Sequence, residues 1–293
     1  VGSSNARSTR GQILLPGGPF LMGSVDDDAN PLDGEGPVRE VVVSPFHIDA
    51  CAVTNAAFAA FVKATGYVTD AERHGWSFVF YGLLTPDVAA TAQGSPVEAP
   101  WWLAIPEASW STPEGPGSSI ARRQNHPVVH VSHTDARAYC AWAGKRLPTE
   151  AEWEFAARGG LVQARYPWGD ELTPRGHWRC NIWQGEFPVT NTVDDGFIGT
   201  APSRHYKPNG YGLYNVSGNV WEWCGDWFSR DFHATGGVRQ DPTGPPAGET
   251  RVVRGGSYLC HDSYCNRYRV SARSSNTPDS STGNMGFRCA NDA

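Results

Sequence analysis

Nearly a fifth of this chain is glycine or proline, with 33 of the first and 22 of the second among 293 residues. Glycine relaxes the backbone and proline removes a donor, so regular elements must be short and loops must carry much of the fold. The same chain holds 12 Trp, 10 Tyr and 12 Phe. Disordered chains are poor in such rings. The combination therefore predicts a compact fold in which irregular backbone is pinned by aromatic packing.

Charge narrows the partners. Charged residues are 18% of the chain and the formal net charge is -6, so no basic face for nucleic acid is implied. No apolar run is long enough to cross a bilayer, and no membrane partner is expected. The chain starts at Val1 without a basic-then-apolar leader. Seven cysteines are too few for a disulfide-built scaffold, and the odd number leaves one thiol unpaired unless chains cross-link.

Residues 1–10 read as a loose polar tail and 11–293 as one domain, with no linker and no internal repeat. Two short strands around a turn are predicted between Gln12 and Met22, and another strand over Val38–Asp49. Asp26–Asp28 reads as a solvated loop. A first helix begins at Thr54-Asn55, buries Phe58, Phe61 and Val62, and stops at Gly66. A second is capped by Ser132 with Asp135, presents Ala136, Tyr139, Cys140 and Ala143, and ends at Gly144. A third has Thr149 and Glu152 as a capping box and Gly159-Gly160 as its stop. Beyond Gly160 turn signals dominate, predicting loops and short strands.

Cys260 and Cys265 are the strongest chemical candidates. They bracket His261, Asp262 and Tyr264, and Arg267, Arg269 and Arg273 follow. Nearby cations favour thiolate, and two thiolates suit a soft ion such as Cu(I) better than structural zinc. Spacing alone favours a structural disulfide, or two unrelated core thiols, over a reactive pair. Asn181-Ile182 with Asp194-Asp195-Gly196-Phe197, and Asn215 to Glu222, are rich in oxygen donors of the kind calcium takes, or else simply cap turns. His126, His130 and His133 do not share one strand face and are expected to hydrogen-bond rather than bind metal. No Gly-x-Ser-x-Gly elbow, phosphate loop or dinucleotide fingerprint occurs.

At this point the sequence resembles a known family, the formylglycine-generating enzymes or sulfatase-modifying factors, from about Gly11 to Asp292. Gly144–Glu154, Gly218–Trp223, Arg254–Ser257 and Gly286–Ala290 carry the broad resemblance, and Ser257–Cys265 with Ala272–Ser280 carries the part specific to oxidases. The resemblance implies an α+β domain of the C-type-lectin-like kind with little regular structure. It implies oxidation of the cysteine in a Cys-x-Pro-x-Arg segment of an unfolded or nascent sulfatase to Cα-formylglycine, using O2 and a thiol reductant. Cys260 and Cys265 match the Cu(I) thiolates, and Ser257 and Tyr264 the polar residues beside them. Trp221, Trp102 and Asn284 fall at the peptide cleft. Asn181, Ile182, Asp195 and Phe197 match one calcium site; Asn215, Gly218, Val220 and Glu222 match a second. Carboxylates on the groove are expected to pair the substrate arginine.

The resemblance also has departures. Ala157 and Val270 stand where the eukaryotic pattern has a disulfide, whereas Cys140 and Cys289 retain the members of another bridge. Cys51, Cys180 and Cys224 match no family position. His133 replaces a common Trp, and Trp76 a small acidic residue, which is expected to alter the cleft rim. A monomer resembling the bacterial cytosolic members is expected, with secretion as the alternative location. The rival readings are a catalytically silent lectin-like binder and an iron-dependent sulfoxide synthase, whose family needs a further histidine-bearing domain.

Overall fold

The computed structural model describes residues 9–234 and 237–293. Most of the predicted tail, residues 1–8, lies outside that range. Among the described residues the secondary structure is five helices of 4 to 11 residues and strands of 2 to 7, as the glycine and proline content demands. Among the described residues no helix is long and apolar enough to cross a membrane.

In chain order the strands begin with β1 (Gln12–Leu15), β2 (Gly18–Met22), β3 (Arg39–Val43) and β4 (Phe46–Asp49). The single strand expected over Val38–Asp49 is thus two. Pro45 has no N–H to continue the ladder, and the pieces join different sheets: β3 pairs with β2, β4 with β1. Helix α1 (Asn55–Thr65) is capped by Thr54 and stopped by Gly66; Phe58 and Phe61 are buried and Val62 half-buried. Helices α2 (Asp70–His74) and α3 (Pro86–Ala89) flank the hairpin β5 (Trp76–Phe80) and β6 (Trp102–Pro106). Helix α4 (His133–Trp142) and helix α5 (Glu150–Arg158) each start on the expected capping box. Helix α4 ends one residue early, with Ala143 rather than Gly144 as its cap.

The C-terminal half contains β7 (Gly185–Glu186), β8 (Thr190–Asn191), β9 (Trp221–Trp227), β10 (Arg239–Gln240), β11 (Arg251–Arg254), β12 (Arg273–Asn276), β13 (Met285–Gly286) and β14 (Ala290–Asp292). Four of these form the sheet β12-β11-β9-β13. In the first sheet β4 lies between β1 and β14, so both ends of the domain are tied to one strand.

Buried ion pairs couple helix α5 to the sheet. Arg254 bonds Glu154 and lies 3.3 Å from Glu150, Arg273 bonds both oxygens of Glu150 at 2.7 Å, and Arg158 bonds Glu154 at 2.7 Å. Charges this deep are tolerable only when paired and hydrogen-bonded. Elsewhere Ala157 and Val270, at the positions of the missing bridge, share one buried apolar cluster. The expected solvated loop at Asp26–Asp28 is partly engaged, since Asp28 pairs with Arg165 and accepts from Asn266 at 2.9 Å.

Candidate active site

The loop after β11 works because two glycines let its ends close together. Gly255 and Gly256 have φ of +92° and +71°. A Cβ on Gly256 would stand 2.9 Å from the Arg267 carbonyl oxygen, so a side chain there would force apart the two chain segments that bracket the cysteines. Within the loop, Cys260 N–H donates to Ser257 O at 2.9 Å, and Cys265 N–H to His261 O at 2.9 Å. These turns bring the two thiols to one cavity, near enough for each to act on the other's ionisation. Neither is in a disulfide.

The two thiols ionise unequally. Burial pushes the Cys260 thiol well up, and the nearby Cys265 sulfur adds to that. Burial acts the same way on Cys265, but its interaction with Cys260 and the attraction of the Arg267 guanidinium outweigh it, so its pKa falls below the ordinary thiol value. Arg267 is itself held by Asp33 at 2.5 Å. Of the three arginines singled out in the sequence, only this one serves the thiols. Arg269 is bound to both oxygens of Glu35, and Arg273 to Glu150.

Cys260, Cys265, Ser257, Tyr264, Trp221, Trp102 and Asn284 all line one cavity of about 200 Å³. Ser257 Oγ accepts from Asn284 Nδ2 at 2.8 Å and from Leu259 N–H at 3.3 Å. Thr282 Oγ donates to Asn284 Oδ1 at 2.7 Å, which fixes the amide orientation. With both lone pairs of Ser257 Oγ engaged, its hydroxyl proton is left to donate into the cavity. Tyr264 stacks on Phe187 at 4.3 Å and meets Trp101 edge-on at 4.8 Å. Burial and the two nearby sulfurs push its hydroxyl up to about 12, so it stays a donor.

The sulfatase-modifying factor enzyme 1-like domain matches residues 1–293. The chain belongs to this family. It is 66% identical over 285 residues to the formylglycine-generating enzyme of Thermomonospora curvata, covering 97% of this chain and 94% of that one. It is also 47% identical over 288 residues to the inactive C-alpha-formylglycine-generating enzyme 2 of Bos taurus, covering 97% and 89%. Membership in the sulfatase-modifying factor family therefore does not by itself decide activity. The structure of PvdO from Pseudomonas aeruginosa superposes with a TM-score of 0.69 at 24% identity over 96% and 94% of the chains, which shows the fold. That fold is the mixed, C-type-lectin-like one the sequence resemblance implied.

The family-matched calcium sets differ in their fit. In the first, Asn181 Oδ1 is buried without a partner, as a cation ligand would be, and Asp195 Oδ2 and Oδ1 accept from Ile182 N–H and Phe197 N–H at 3.0 Å each. In the second, Asn215 Oδ1 is likewise buried and unpartnered. Gly218 must be glycine there, because a Cβ would stand 2.2 Å from Asn181 O. Val220 is buried beside this turn. Glu222, however, already receives Arg288 on both oxygens, at 2.6 and 2.7 Å, and Trp153 Nε1 at 2.7 Å. A cation would have to share a carboxylate that neutralises a buried arginine.

Cys140 and Cys289, the members of the other family bridge, are free thiols with their sulfurs 3.4 Å apart, adjacent as the family pattern requires. Among the described residues no Asp or Glu lines this cavity, and Trp76 is not part of its wall. The histidines have the hydrogen-bonding roles anticipated for two of them: His126 with Thr200 at 2.9 Å, His130 with Ser77 and Pro113 O at 2.8 Å each. His133 packs edge-on against Trp223. Sequence reasoning missed Thr282 and the Ser274-Ser275-Asn276 wall. The signal for the latter was present, since those residues sit inside the oxidase-specific stretch.

Proposed function

We propose that this chain oxidises the cysteine of a Cys-x-Pro-x-Arg segment in an unfolded or nascent sulfatase to Cα-formylglycine, with O2 as oxidant and an external thiol as reductant. The observation that carries the reading is the buried thiol pair, one member with a lowered pKa, in a cavity walled by tryptophans and capped by two hydroxyl donors. The named activity of relatives such as that of T. curvata supports it.

Two sulfur donors with no third protein ligand suit Cu(I), a soft ion that accepts few ligands. Cys260 and Cys265 would hold it and leave room for a substrate thiol. When bound, the ion supplies the redox chemistry with O2 that no side chain can perform. The chain's own residues do the rest. Arg267 favours the thiolate form of Cys265. Ser257 and Tyr264 would offer hydroxyl protons in the cavity, and Asn284 with Thr282 orients the first. Trp102 and Trp221 exclude water and grip an extended peptide. With no carboxylate in the lining, Ser274, Ser275 and Asn276 are the polar groups available to the peptide backbone. We also propose calcium at the Asn181 set, where the unpartnered amide oxygen favours it.

The test is aldehyde formation on a Cys-x-Pro-x-Arg peptide with Cu(I), O2 and a thiol, read with a carbonyl-reactive probe. Wild type should form aldehyde, while Cys260→Ser and Cys265→Ser should not. Full activity in either variant would remove the thiol pair from the mechanism. Peptide binding by wild type with no oxidation would favour the silent binding relative instead.

A further inference from the structure

A second cleft, of about 480 Å³, is lined by Arg137, Cys140, Lys145, Arg146, Gly225 and Arg251. Four cations in one cleft are unusual for a chain of net charge -6. Two are already neutralised: Lys145 by Asp49 at 2.6 Å, and Arg146 by Glu152 and Asp292. The other two are not. The Arg137 guanidinium makes no ion pair or hydrogen bond among the described residues, and Arg251 has no carboxylate partner there.

Arg251 is nevertheless held in place. Its guanidinium lies over the Trp227 ring at 3.4 Å and Nη1 donates to Gly225 O at 2.7 Å. Burial and the charge of Arg137 together lower its pKa. Asp226, the one acid close enough to act on it, is itself pushed up to about 8 by burial and the charge of Glu150, and is largely protonated at neutral pH. The arrangement is two like charges, one of them stacked and oriented, with no carboxylate paired to either among the described residues. Planar guanidiniums in that state are built to receive an oxyanion.

We infer that this cleft binds a small multivalent oxyanion of the phosphate class, bridging Arg137 and Arg251 with Lys145 and Arg146 behind. The site is separate from the thiol cavity, and its test does not depend on oxidation of any peptide. Binding of inorganic phosphate and pyrophosphate to the full chain is measured by calorimetry and by ³¹P line broadening, at an ionic strength held constant with chloride.

The expected result is saturable binding, tighter for pyrophosphate. Arg137→Gln, an exposed substitution that leaves the fold alone, should weaken it at least tenfold, about 1.4 kcal/mol. Arg251→Lys keeps the charge without the planar fork and should also weaken it, with its circular dichroism unchanged. Binding no stronger than chloride in wild type overturns the inference. So does an Arg137→Gln protein that binds pyrophosphate like wild type.

Discussion

Glu150→Gln is the substitution that reaches from helix α5 to the thiol loop. Glu150 is fully buried, bonds Arg273 with both oxygens at 2.7 Å, and lies 3.3 Å from Arg254 Nη1 and 3.2 Å from His233 Nε2. Glutamine preserves the shape but removes the charge and turns one acceptor into an N–H facing other N–H groups. Arg254 keeps Glu154, whereas Arg273 is left with no carboxylate, only a neutral amide oxygen and backbone carbonyls. Breaking a buried pair by neutralising one partner costs about 3–5 kcal/mol. For a chain of this size that corresponds to a Tm drop of roughly 5–8 °C.

The pH dependence has a defined sign. Burial alone would raise the Glu150 pKa, but Arg273, His233 and Arg254 outweigh it and hold it well below the usual carboxylate range. Its stabilisation is present above the unfolded pKa and is lost as pH falls through the folded one, so wild type and variant should converge in acid. Thermal and urea denaturation at pH 7 and at successively lower pH measure both effects. Arg73→Ala, which removes the partly exposed Arg73–Asp70 pair and a ring contact to Tyr67, serves as a control expected within about 1 kcal/mol of wild type. A Glu150→Gln loss below about 1 kcal/mol at pH 7 would refute the view that this network anchors the loop.

Three further outcomes are expected. Arg267→Met should move the pH profile of Cys265 alkylation to higher pH, because the guanidinium that lowers its pKa is gone; mass spectrometry of timed alkylation reads this. Gly256→Ala, forced to keep φ +71° with its Cβ 2.9 Å from Arg267 O, should lose about 1–2 kcal/mol or more in urea denaturation and impair peptide oxidation. Asp226 has a folded pKa raised to about 8, mainly by burial, so the folded state holds a proton that the unfolded chain releases and stability falls as pH rises toward 8. Asp226→Asn should flatten that alkaline slope in a Tm-versus-pH series.

Local chemistry was legible wherever a few neighbouring residues decide the backbone. Thr54, Ser132 and Thr149 each cap the helix they were expected to cap, since a side-chain oxygen and an orphan N–H three residues on settle the matter alone. The strand break at Pro45 and the seven-residue strand Trp221–Trp227 were not read. The second is buried on both faces for nearly its whole length and so lacks the alternation that marks a strand. The cysteine pair was recognisable only through the motif around it, because five-residue spacing fits a disulfide or a core pair better than a metal site.

What the sequence determined by itself was a short-element, aromatic-pinned fold and a suspect loop at Ser257–Cys265. Tertiary structure decided the chemistry. It placed Arg267 alone beside the thiols while Glu35 and Glu150 took Arg269 and Arg273, and it brought Trp102, Trp221 and Asn284 to one cavity from three separate segments. Charge pairing and cavity walls depend on which distant segments share a low-dielectric interior, and no spacing along the chain encodes that directly.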